Sequence, residues 1–143
     1  MTVVTVIDIG NFSNEITYFY QADSGGCFND QTIQAKVGNP SLFTLTFGLS
    51  FFDSNQDGSQ DLFYANGHIE PDVSVVLREF SLFTTPSLLF WNQRNSQLSW
   101  NRRKVGRKDT GVGRGVAYGD YDVDSDLDLL VSNSSVIAPN GQA

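Results

Sequence analysis

The sequence predicts an all-β chain of roughly nine short antiparallel strands, and three observations carry that reading. Aromatic residues are abundant, with eleven Phe, five Tyr and two Trp, and so is glycine, at thirteen. That pairing suits short strands joined by tight turns better than helices. No segment of ten or more residues repeats its apolar positions with a helical period. Finally, the chain repeats itself. GLSFFDSNQDGSQDLFYANG at 48–67 and GVAYGDYDVDSDLDLLVSNS at 115–134 align with an offset of 67, placing Gly48 on Gly115, Asp53 on Asp120, Asp61 on Asp128 and Asn66 on Asn133.

Each copy of the repeat is an apolar strand, an acidic loop and a second apolar strand. Other segments fit around these copies. TVVTVIDIGN at 2–11 is β-branched and resembles the strand at 126–134. EITYFYQADSGGCFNDQTI at 15–33 and SLLFWNQRNSQLSWNRRKV at 87–105 each read as strand, turn and strand. Asn39-Pro40 and Thr85-Pro86 punctuate connections. If the strands of a complete unit are numbered one to four, the chain reads two-three-four, one-two-three-four, one-two. The expected division is a partial unit over 1–40, a complete one over 41–108 and a partial one over 109–143, with no linker between them.

Charge narrows the function. The net charge is −7 and the isoelectric point about 4.4, which argues against nucleic acid as the main partner. Eight of the sixteen acidic residues fall within 53–61 and 120–128. So many carboxylates in so little chain repel one another unless a cation neutralises them. Cys27 is the single cysteine, so no intrachain disulfide forms. The N-terminal residues do not read as a signal peptide, and no run is long and apolar enough to span a membrane.

The first acidic loop presents oxygen-bearing side chains at Asp53, Asn55, Asp57 and Asp61, positions 1, 3, 5 and 9, with Gly58 at position 6 and the Ser59 carbonyl available at position 7. Calcium takes six to eight oxygens in a forgiving geometry, and alternate residues of a tight loop supply them. Glycine at position 6 permits the left-handed backbone of a sharp bend. The second loop carries Asp120, Asp122, Asp124, Asp126 and Asp128 but has Ser125 at position 6. Neither loop is an EF-hand, which closes with Glu at position 12; here that position is Tyr64 or Val131. Two calcium ions are therefore expected, in a structural role. An isolated Asp-rich turn is commonly just a solvated turn; two in one register favour the metal.

The remaining candidates read more plainly. Arg102, Arg103, Lys104, Arg107 and Lys108 form a basic cluster that reads as a solvated hairpin end, because no aromatics interleave with it. His68 is the single histidine, which excludes a multi-histidine centre within one chain. Trp91 and Trp100 suit packing better than sugar stacking. Carboxylate pairs such as Asp57 with Asp61, or Asp124 with Asp128, fit a metal cage better than a glycosidase pair, and the chain reads as non-enzymatic.

The run Asp53-x-Asn55-x-Asp57-Gly58-x-x-Asp61-Leu62 resembles the FG-GAP/VCBS repeat, the calcium-loop blade of integrin α-subunit propellers. With DIGNFSNE at 8–15, the segment 45–72 and GVGRGVAYGDYDVDSDLDLLVSN at 111–133, the chain is similar to the ASPIC/UnbV group of such proteins. The resemblance implies about two blades of a β-propeller and an extracellular or periplasmic setting. It implies an interaction or adhesion role toward a protein or glycan partner. A carbohydrate-binding module or a fragment of a polysaccharide-acting protein is the alternative. It also implies metal ligands at Asp53, Asn55, Asp57, Ser59, Asp61, Asp120, Asp122, Asp124, Asp126 and Asp128. A closed propeller needs at least four blades. The expectation is therefore a segment of a longer protein, or a subunit that completes a homo-oligomeric ring.

Overall fold

A computed structural model describes residues 5–67, 86–93, 98–100 (backbone alone) and 112–134. The basic cluster at 102–108 and His68 lie outside them. The described chain is all-β, with nine strands in three antiparallel sheets and one four-residue helix, α1 (Gly38–Ser41), at the Asn39-Pro40 connection. The first sheet runs β1 (Val6–Ile9), β2 (Tyr18–Ala22), β3 (Phe28–Asp30). The central sheet runs β4 (Thr46–Phe52), β5 (Asp61–Asn66), β6 (Leu88–Asn92), β7 (Leu98–Trp100). The third is the hairpin of β8 (Val112–Gly119) and β9 (Asp128–Ser134). Strands are adjacent in space in the order they occur along the chain, as short turns dictate.

The first turn shows how local sequence sets these hairpins. Asp23 Oδ1 accepts the N–H groups of Gly25 and Cys27 at 2.9 and 3.0 Å, and Gly26 takes a positive φ of 80°. The side chain thus replaces backbone partners that the turn leaves open.

Packing is organised on the central sheet. Successive residues of a strand point to opposite faces, and β5 exploits both. Leu62 and Tyr64 enter one core with Leu49, Phe51, Leu88 and Phe90, against Val6 and Phe19 of the first sheet. Phe63 and Ala65 enter the other with Phe52 and Leu89, against Val116, Leu127, Leu129 and Val131 of the third sheet and its loop. Every residue of β5 is buried. Each large apolar side chain so buried contributes about 1.5–3 kcal/mol.

Glycines set the spacing between the central and third sheets. A Cβ on Gly48 would stand 3.0 Å from the backbone of Gly115 and Val116, and one on Gly113 would stand 2.8 Å from the Asn66 carbonyl oxygen. Gly48 and Gly115 are equivalent in the repeat, so each copy contributes the same small residue to the contact. The two hairpins also share an irregularity. The register shifts between Thr46 and Gly48 in one and between Gly113 and Gly115 in the other, again 67 residues apart. Both end on matching pairs, Phe52 with Asp61 and Gly119 with Asp128.

Because the atoms opposed to Gly48 are backbone, an added methyl group forces the sheets apart. Gly48→Ala should lose about 1–3 kcal/mol of stability in chemical denaturation, while Gly119→Ala, whose Cβ would meet nothing within 4 Å, should lose less.

Candidate metal centre

Both acidic loops are built from their own carboxylates. In the first, Asp53 Oδ1 accepts the Asp57 N–H at 2.9 Å and its Oδ2 accepts the Gly58 N–H at 2.7 Å. Asp57 Oδ1 accepts the Ser59 N–H at 2.9 Å, and Asp61 Oδ2 accepts the Ser54 N–H at 3.1 Å. The second loop reproduces all four bonds with the offset of 67. Asp120 accepts from Asp124 and Ser125, both at 3.1 Å. Asp124 accepts from Asp126 and Asp128 from Tyr121, both at 2.9 Å. Repeated oxygen-to-amide geometry of this kind follows from Asp side chains satisfying nearby backbone donors.

The backbones match as well. Positions 4 and 6 have positive φ in both loops: Gln56 at 55° and Gly58 at 85°, Val123 at 62° and Ser125 at 75°. The left-handed bend at position 6 is the one its glycine predicts, and Ser125 adopts it without that advantage. Position 4 has no sequence signal. Val123 is β-branched, and such residues are outliers in the left-handed region.

The Asp57 N–H is shared between Asp53 Oδ1 and Asn55 Oδ1, at 2.9 and 3.2 Å, which draws positions 1, 3 and 5 of the first loop together. In the second, Asp120, Asp122 and Asp124 each bring one carboxylate oxygen to within 4.8 Å of the others, and all three are exposed. Both trios offer hard oxygen donors, the set calcium and magnesium prefer.

The closing acids serve differently. Asp61 is fully buried; beyond the Ser54 amide and hydroxyl, its Oδ1 accepts the Asn92 N–H of β6 at 2.8 Å. It ties the loop to the third strand of the sheet. Asp128 is exposed and has the Tyr121 N–H as its bond. Ser59 sits at position 7 with its N–H on Asp57, and Asp126 points its Oδ1 across to the first loop, where Gln56 Nε2 donates to it at 3.1 Å. Gln56 Nε2 also donates to the Ser125 carbonyl oxygen. The loops therefore lie side by side. Asn92 and Gln56 escape sequence reading because their partners are 31 and 69 residues away.

Beside the second loop, Ala117, Tyr118, Tyr121, Leu129 and Leu130 line an open groove of about 510 Å³, bordered by Asp120 and Asp128. Comparison with protein-family models returns no match, and none of the curated proteins matches the sequence. Among the described residues no helix is long and apolar enough to cross a membrane.

The strain at position 6 can be moved between loops. Ser125→Gly should stabilise the protein by up to about 1 kcal/mol, and Gly58→Ser should destabilise it by a similar amount, in paired denaturation curves.

Proposed function

We propose that the two acidic loops are calcium sites that fasten neighbouring β-hairpins in a non-catalytic segment of FG-GAP/VCBS-like β-propeller, serving as an interaction or adhesion scaffold toward a protein or glycan. The observation that carries this reading is the congruence of the loops. Unrelated acidic turns would have no reason to share four hydrogen bonds, a register, a bulge and two left-handed positions.

Asp53, Asn55 and Asp57 would hold the first ion and Asp120, Asp122 and Asp124 the second, with the position 7 and position 9 residues Ser59, Asp61, Asp126 and Asp128 completing the sets. A cation there would neutralise carboxylates that otherwise repel one another, and two ions would offset four of the seven net negative charges. The stacking of the sheets, with the first turns of the central and third sheets side by side, is compatible with radial blade packing.

Excess calcium should raise the melting temperature, and elemental analysis should return two ions per chain; no shift and no bound metal would sink the proposal. Asp57→Asn keeps an oxygen for the Ser59 amide but removes a charge. It should weaken calcium binding at least about tenfold by titration calorimetry while leaving the calcium-free melting temperature nearly unchanged.

A further inference from the structure

The interface between the first and central sheets contains a carboxyl group that the loops do not explain. Asp8 lies on β1, in register with Phe19 of β2. Both its carboxyl oxygens are shut off from solvent and make no hydrogen bond. The Tyr64 hydroxyl, which faces them from β5, is equally buried and also falls short of hydrogen-bond geometry. Thr17 stands beside that hydroxyl, and neither it nor Phe19 brings a charge. Among the described residues no other charged side chain bears on Asp8.

An unpaired carboxylate in such a place is costly, and a carboxyl group avoids the cost by keeping its proton. Burial accordingly pushes the Asp8 carboxyl up to about 7, outweighing the opposing pull of Tyr64. Burial, and then the neighbouring Asp8, push the Tyr64 hydroxyl up, so Tyr64 stays neutral and Asp8 is the group that titrates.

We propose that Asp8 makes the joint between the first and central sheets proton-dependent: protonated, it packs as a neutral polar group against Tyr64; deprotonated, its charge draws water into the interface and loosens β1 from β5. This is independent of metal in the loops. The direction follows from linkage. The folded state holds the proton that the unfolded chain releases near pH 3.8, so stability contributed by Asp8 is complete below that pH. It is lost as pH rises toward about 7, and is level above.

The test compares the full chain with Asp8→Asn between pH 5 and 8.5, both in saturating calcium and in chelator. The unfolding constant of the unaltered protein should rise, relative to Asp8→Asn, by about tenfold per pH unit up to neutrality and then level off. A difference that does not change with pH overturns the proposal. Carboxyl ¹³C resonances of the unaltered protein give a second reading that needs no variant. Asp8 should titrate near 7, and a midpoint below 5 overturns the proposal even where Asp8→Asn does not fold. Amide exchange at Ile7 and Ile9 should accelerate above neutrality beyond its intrinsic pH dependence, and equal protection on both sides of the titration would overturn the loosening of β1.

Discussion

Strand β5 is buried along its whole length, and both apolar cores are assembled on its two faces. Alternation places Leu62 and Tyr64 toward the first sheet and Phe63 and Ala65 toward the third. Much else depends on that double burial. Asp61 opens the strand and must satisfy its carboxylate internally, which it does by closing the first acidic loop and gripping Asn92. Asn66 ends the strand and is held from both sides, accepting from the Thr46 hydroxyl and donating to the Pro86 carbonyl at 2.8 and 2.9 Å. A strand with a solvated face would need none of these arrangements.

The second consequence is proximity. Two sheets stacked through Gly48, Gly113 and Gly115 approach more closely than larger residues would allow, and their first turns come together. Five carboxylates of one loop then face three of the other, bridged by a single glutamine side chain. Such charge density is unfavourable in itself. It is consistent with the proposed calcium sites, and the aromatic pair Phe52–Tyr118, with centroids 5.5 Å apart, packs just below the turns.

Much of this was legible in residue order. The offset of 67 reappears in register, in the bulge and in the loop bonds, because each copy specifies its hairpin locally: apolar alternation, a carboxylate at position 1 and a residue able to bend at position 6. The sequence reading of three, four and two strands matches the three sheets. Less legible were Val123 and Gln56, whose residue types give no signal for the left-handed backbone they adopt, and Asp8, which looks like any polar residue among β-branched neighbours until Tyr64 is placed over it.

By itself, then, the sequence determined the all-β class, the strand order and the construction of both loops, since these rest on contacts a few residues apart. Tertiary structure decided which strand is buried on both faces, that the loops adjoin, and that Asp61 is sealed inside while its counterpart Asp128 is exposed. The two closing acids are identical in local sequence logic. They differ because Asp61 has the neighbouring strand β6 to cover it and donate to it, whereas among the described residues no third strand flanks β9. Burial and hydrogen-bond partnership are properties of neighbours, and neighbours this far apart along the chain are assigned only when the sheets stack.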